Sequence, residues 1–388
     1  MLRILTAGES HGRGLVGVIE GLPSNVPLKL ELINQDLRRR QQGYGRGGRM
    51  KIEKDQIEVM SGIRGGKTLG SPISFVINNR DYDNWREHMD PFQENKEERR
   101  VTRPRPGHAD LTGQMKYNFD DIRNVLERSS ARETAVRTAA GSIVKQFLKC
   151  FNIEVYSHVV SIGDVQLNKN SNMFFDTQNS DDLVKLIKKA DESPVRCIDQ
   201  ETEAAMIQAI DEAKADGDSL GGVFEVHITG VPVGLGSYVQ WDRKLDAKLS
   251  YALMSIQGIK GVEIGEGFTN TTKPGSQVHD EIYHQEGQGY HRKTNFAGGI
   301  EGGMSNGETI ILRCGMKPIP TLYKPLRTVN IHTKEVEMAT VERSDTCAVP
   351  AASIVGEMVA ISVIGEEFMR KFGGDSLEEI MKRWKDYI

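Results

Sequence analysis

The 388-residue chain is predicted to fold as α+β. Helical stripes near the 3.6-residue period stand beside short alternating runs of strand type, without the regular βαβ order of a doubly wound sheet. No Pro/Gly/Ser-rich linker divides the chain and no short-period repeat runs through it, so residues 1–388 read as one large domain.

The elements follow in order. Residues 15–21 form a short strand closed by a turn at Pro23, and residues 30–42 a helix stopped by Gly43. Residues 43–49 are too glycine-rich for regular structure. Strands are expected over 56–61 and 72–77, separated by a 62–70 loop. Residues 80–105 make a long polar loop, and such loops inside compact domains serve as lids or binding loops. Residues 120–147 read as one long helix with Ile122, Val125, Leu126, Ala139, Ile143, Val144 and Phe147 on its apolar stripe. Gly141 interrupts it at a cost of about 1 kcal/mol relative to alanine. Strands are expected over 153–162, 223–229 and 308–314. Helices are expected over 181–190, 202–215, 243–256, 351–372 and 376–387.

Composition excludes whole classes. With 38% hydrophobic and 27% charged residues the chain is globular, not disordered. No run approaches 18 consecutive apolar residues, so no membrane span is expected, and the first residues are too weakly apolar for a signal peptide. Cys150, Cys197, Cys314 and Cys347 lie far apart with no Cys-x-x-Cys pair. Neither a disulfide framework nor a zinc knuckle is expected, no metal is assigned, and a reducing cytoplasm is the default.

The net charge of −4 conceals a division. Residues 1–150 hold 26 Lys+Arg against 19 Asp+Glu, a net of +7, which leaves −11 for the rest. Arg38, Arg39, Arg40, Arg46 and Arg49 form one cluster; Arg99, Arg100, Arg103 and Arg105 form another, leading into His108. Arg123, Arg128, Arg132 and Arg137 form the third. Arginine grips carboxylate and phosphate in bidentate fashion. A local positive pocket in an acidic protein suits a small polyanion better than a nucleic acid, and sparse aromatics remove the stacking platforms that a single-strand binder needs.

Two motif matches fail on context. Gly43, Gly45 and Gly48 fit G-x-G-x-x-G but follow a helical segment and open no helix, so they are not a dinucleotide fingerprint. Gly8-Glu9-Ser10-His11-Gly12 fits the nucleophile elbow but lacks the following helix. His11, between exposed backbone and downstream arginines, is a candidate proton donor to a leaving oxyanion, and His108, on a stiff Pro104–Pro106 approach, is comparable. Arg128 and Arg132, four apart, are expected on one helix face with small residues between them for a flat ligand. Lys317-Pro318-Ile319-Pro320-Thr321 offers a rigid backbone with one cation. Asp345, just before Pro350, is either a helix cap or a base, and position favours the cap.

Together these stretches resemble the chorismate synthase family. The matching segments are 8–12, 38–49, 105–110, 128–134, 299–309, 317–321 and 342–350, seven motifs in the family's order. The resemblance implies an anti 1,4-elimination converting 5-enolpyruvylshikimate-3-phosphate to chorismate and phosphate. It implies a requirement for reduced FMN without net redox change, in the last step of the shikimate pathway. It further implies a sandwich of helices between antiparallel sheets and a homotetramer, with no nucleic-acid or membrane partner.

By that resemblance Ser10, Arg40, Arg46, Arg49, Arg105 and Arg132 hold substrate, and Arg40 and Arg46 are also candidate NADP contacts. Arg128, Ser129, Ser130, Gln257, Gly258, Gly302, residues 317–321 and Arg343 fall where the family contacts FMN. His11 protonates the departing phosphate, His108 protonates or stabilises the reduced flavin, and Asp345 helps flavin N5 remove the C6 proton. NADPH is the candidate reductant, directly or through a separate flavin reductase. Many relatives carry Asn-Ala where this chain has Gln257-Gly258, so the contact there is expected mainly from backbone. A flavin-independent phosphotransferase or phosphatase is the competing enzyme class, but no P-loop or acidic metal cluster supports it. An RNA-binding module built on the basic first part is the non-enzymatic alternative.

Overall fold

The computed structural model describes residues 2–48, 52–93, 97–167, 186, 189–287 and 289–387. Two antiparallel sheets dominate it. The first is built from β1 (Arg3–Ala7), β2 (Gly14–Glu20), β4 (Glu58–Ser61) and β7 (Ile73–Asn78), in the order β1-β2-β7-β4. A small sheet beside it joins β3 (Ser24–Pro27), β5 (Ile63–Arg64) and β6 (Lys67–Leu69). Thus the expected 62–70 loop is partly a hairpin: glycines at 65 and 66 turn the chain so that Ile63 pairs with Thr68.

The second large sheet runs β11-β16-β10-β8-β9, from Ile259–Ile264, Ile310–Met316, Gly222–Thr229, Glu154–Ile162 and Val165–Gln166. Two-stranded ribbons β12–β13 (Ile282–Gln285 and Gly289–Arg292), β14–β15 (Ile300–Glu301 and Met304–Ser305) and β17–β18 (Arg327–Val329 and Val336–Met338) complete the strands.

The helices are α1 (Leu30–Gln41), α2 (Asp110–Tyr117), α3 (Arg123–Ser129), α4 (Thr134–Lys149), α5 (Gln200–Ala215), α6 (Leu245–Met254), α7 (Val349–Phe372) and α8 (Leu377–Tyr387). The mixture of helices with antiparallel sheets is the expected α+β class. The helix expected over 181–190 lies mostly outside the described residues; Lys189 and Ala190 are helical.

The single helix expected over 120–147 is a correction. It is two helices broken at Ser130, whose extended backbone (φ −60°, ψ 139°) lets its hydroxyl accept the Arg132 N–H at 3.2 Å. Serine's capping habit overrides the apolar periodicity. Helix α4 then packs on α1, on β2 and on α7, while α7 packs on β8 and β10. At the α4–α7 crossing a Cβ on Gly141 would stand 2.3 Å from the Met358 carbonyl oxygen. The glycine's propensity cost is therefore the condition for close helix contact.

Helix α7 is long and apolar enough to cross a membrane, with mean hydropathy 1.5 in its most apolar window, but 83% of that window is buried inside the protein. Its apolar composition is that of a core helix. One hydrophobic cluster runs from Leu2 to Ile380 and includes residues of both large sheets.

Candidate active site

A cleft of about 960 Å³ collects the ends of several elements. Ser10 and His11 come from the β1–β2 turn, Arg40 from the last turn of α1, and Arg46 from the glycine-rich turn after it. Arg105 and His108 precede α2; Ser129, Ser130, Ala131 and Arg132 lie at the α3–α4 break. Gln257 and Gly258 precede β11, residues 317–321 follow β16, and Arg343 and Asp345 precede α7. All of these line the cleft. Among its described lining residues nine arginines and two lysines face three acids.

His11 is held from three sides. Its Nδ1 lies 2.9 Å from Glu127 Oε1, its backbone N–H donates to Glu127 Oε2 at 2.7 Å, and its ring stacks on Trp85 with centroids 4.1 Å apart. On Trp85 the Arg99 guanidinium rests 4.0 Å from the ring centroid, a cation–π contact. Ser10, buried, donates to Ser130 Oγ at 3.1 Å. Trp85 and Arg99 belong to the 80–105 segment, which is anchored here by buried Asp81, Trp85 and Val101. Glu127 and Trp85 are the neighbours of His11 that sequence reasoning missed. Glu127 reads as a solvated partner of the helix arginines, and only the fold turns it toward His11.

His108 and Arg105 share one buried carboxylate. Asp110 accepts from Arg105 Nε at 2.9 Å and from the Arg105 backbone N–H at 3.0 Å, and it contacts His108 Nδ1. Burial pushes the Asp110 carboxyl up, but the hydrogen bonds and charges of His108 and Arg105 outweigh it and hold it well below the usual carboxylate range. Arg105 Nη1 also donates to Thr321 Oγ1 at 2.7 Å, so this guanidinium is committed to the protein.

Arg40 and Arg132 are buried beside Asp55. Arg132 Nη1 donates to Asp55 Oδ2 at 2.7 Å and its Nε to Asn79 at 2.9 Å, while Arg40 Nε donates to Thr134 Oγ1 at 3.0 Å. Burial lowers the Arg40 guanidinium to about 10, with Asp55 opposing and Arg132 and Arg46 reinforcing the shift; it remains a cation at neutral pH.

Asp345 is a second correction. The helix cap is Ala348, with no side-chain cap bond. Asp345 instead accepts the Gly47 N–H at 2.6 Å and pairs with Arg46 Nη1 at 3.0 Å. A Cβ on Gly47 would lie 2.6 Å from the Ser344 carbonyl oxygen, so glycine is what lets the two turns meet.

The shared face expected for Arg128 and Arg132 is also overturned. The break at Ser130 sends Arg132 inward and Arg128 outward, where it donates to the carbonyls of Thr6 and Gly8 at 3.0 and 3.2 Å. Arg128 and Gly302, in the β14–β15 turn, stand off the cleft wall. Arg343 donates to Asp81 at 2.7 Å, and Lys317 Nζ to the Gly107 carbonyl. Arg49 lies outside the described residues.

Several anions at once could occupy such a cleft. Two buried polar atoms on its wall, Ser129 Oγ and Gln257 Oε1, have no hydrogen-bond partner among the described residues, and buried polar groups demand one. They fit a ligand edge carrying both donors and acceptors, and for Gln257 they put the side chain as well as the backbone on the wall.

Fold and cleft define an α+β protein whose arginine-rich cleft also contains two histidines. A sequence profile of the chorismate synthase family matches residues 2–369. The chain is 68% identical over 387 residues to chorismate synthase of Alkaliphilus metalliredigens, covering all of this chain and 99% of that one. It is 55% identical over 388 residues to chorismate synthase of Syntrophomonas wolfei, covering all of this chain and 96% of the relative. A solved structure described as chorismate synthase superposes with a TM-score of 0.80 at 44% identity, covering all of this chain and 97% of that one. The chain belongs to the chorismate synthase family, a family of lyases in the shikimate pathway that needs reduced flavin.

Proposed function

We propose that this cleft carries out the family's anti 1,4-elimination, in which 5-enolpyruvylshikimate-3-phosphate loses a C6 proton and its phosphate to give chorismate. The observation that supports this most is the concentration of guanidinium groups in the one cleft that also holds His11 and His108. The substrate brings a phosphate and two carboxylates, and charge-assisted hydrogen bonds offset the repulsion of gathering them.

Ser10, Arg40, Arg46, Arg49, Arg105 and Arg132 are the proposed substrate set. Arg105 acts mainly by fixing Asp110 and His108, since its own donors are occupied. His11, with its Nδ1 held by Glu127, presents the ring that delivers a proton to the departing phosphate. Asp345, oriented by Gly47 and Arg46, helps take up the C6 proton. His108, fixed by Asp110, holds a proton at the cofactor's side of the cleft.

The residues fit non-covalent FMN. Ser129, Ser130, Gln257, Gly258, residues 317–321 and Arg343 would hold it, with the unsatisfied Ser129 Oγ and Gln257 Oε1 as ring partners. The roles of Arg128 and Gly302 rest on the resemblance alone. When bound, reduced FMN supplies the transient electron density that eases loss of an allylic phosphate.

The chain acts as one domain over 1–388 with 80–105 as a lid, and the packing of α4 and α7 on opposite sheets supports the family's sandwich. A homotetramer is supported by Tyr238, Trp241, Tyr251, Phe268 and Tyr290, each more than 70% exposed. A cytoplasmic setting agrees with four free cysteines.

Anaerobic phosphate release tests the reading, with chemically reduced FMN and NADPH plus FMN compared as electron sources. Turnover with chemically reduced FMN is expected, and turnover independent of flavin would overturn it in favour of a phosphatase. Activity with NADPH and FMN alone would show that the chain reduces its own flavin. RNA binding with steep salt dependence and no turnover would mark the non-enzymatic alternative.

A further inference from the structure

The five-stranded sheet has one face against α7, where Phe224 and Val226 pack at Gly356. Alternation along β10 puts Glu225 and His227 on the opposite face, where register places His158 of β8 and Arg313 of β16 on either side of Glu225. We propose that His158, Glu225 and His227 form a binding site for one divalent transition-metal ion of the zinc class, separate from the cleft.

The geometry carries the inference. One donor atom from each of the three residues lies within 4.8 Å of the others. Glu225 Oε2 stands 3.3 Å from His227 Nε2 and 3.7 Å from His158 Nε2. The longer separation exceeds a hydrogen bond. Two ligands on a tetrahedral zinc, with bonds of about 2.0–2.1 Å, lie about 3.3 Å apart, so the two Glu225 separations stand within a few tenths of an ångström of a zinc site's, and the histidines need only close on each other from within 4.8 Å. The three residues are 3%, 2% and 1% exposed.

The surroundings agree. Arg313 donates to Glu225 Oε1 from Nε at 2.8 Å and Nη2 at 2.5 Å, which orients the carboxylate and leaves Oε2 as a single donor. Arg313 also pairs with Glu263 at 3.0 Å, so its charge is shared and does not cancel that of Glu225. Two imidazoles and one carboxylate suit zinc, cobalt, nickel or copper over magnesium or calcium. The sequence could not announce this site, because Glu225 follows His158 by 67 positions and only register brings them together.

The test uses the full chain, stripped with chelator and dialysed against Zn²⁺ or Co²⁺. One ion per chain is expected, with a raised unfolding midpoint and visible Co²⁺ ligand-field bands free of thiolate charge transfer. His227→Asn and His158→Gln are each expected to weaken binding by about 100-fold or more, beyond the 10–100-fold of outer-shell changes. Phosphate release should be unchanged in both, since neither residue lines the cleft. No stoichiometric uptake by the unmutated chain would overturn the proposal, as would a thiolate band or unchanged affinity in both variants. The unmutated chain decides the matter even if a variant fails to fold.

Discussion

Glu127 grips His11 with both carboxylate oxygens, one on the ring Nδ1 at 2.9 Å and the other on the backbone N–H at 2.7 Å. The two contacts and the stacking hold the ring in one orientation against Trp85. Glu127→Gln is expected to lower kcat by about 10-fold or more with little change in KM for the substrate, because the substrate contacts are untouched. Steady-state kinetics with circular dichroism checks this, and an unchanged kcat would remove Glu127 from the mechanism.

His11→Ala and His108→Ala are each expected to cut turnover by about 10²-fold or more, in line with general acid–base contributions. Single-turnover phosphate release measures it, and near-normal turnover in either variant would exclude that histidine.

Arg46→Ala should weaken substrate binding and leave the fold intact, since Arg46 sits on a turn and Asp345, with which it forms an ion pair, also accepts from Gly47. Equilibrium binding of the substrate decides this, and unchanged affinity would refute the assignment.

Asp110 is fully buried under Arg105 and His108. Asp110→Asn breaks a buried charge pair and should cost about 3–5 kcal/mol in urea unfolding. Its carboxyl is depressed in the folded state, so the stability it contributes is present above its ordinary value of 3.8 and is lost as pH falls below that. Unfolding between pH 7 and pH 3 should therefore show a steeper acid loss in the unmutated chain than in Asp110→Asn.

Gly141→Ala gains helix propensity of about 1 kcal/mol yet drives a methyl to 2.3 Å from the Met358 carbonyl oxygen. Overpacking of this kind costs about 1–3 kcal/mol, so the denaturation midpoint should fall. A rise would mean that the α4–α7 crossing yields easily.

Much of this molecule was legible residue by residue. Helical composition and stop signals located α1, α5, α6, α7 and α8 to within a few residues, because helix formers and breakers act locally. The arginine clusters and the two histidine motifs marked residues that gather in one cleft, because charge and glycine content are local properties. The 62–70 hairpin was not legible, since a strand of two residues carries no period. Neither was the break at Ser130, where one side chain–backbone bond outweighs a helical pattern.

Residue patterning and motif order alone therefore determined the fold class and the family resemblance. Tertiary structure decided which way each charge points. The turn at Ser130 separates Arg128 from Arg132, the Gly47 contact makes Asp345 a partner of Arg46, and β8–β10 register gathers His158, Glu225 and His227. Direction depends on contacts between residues far apart in the chain, and local sequence pattern does not encode those contacts.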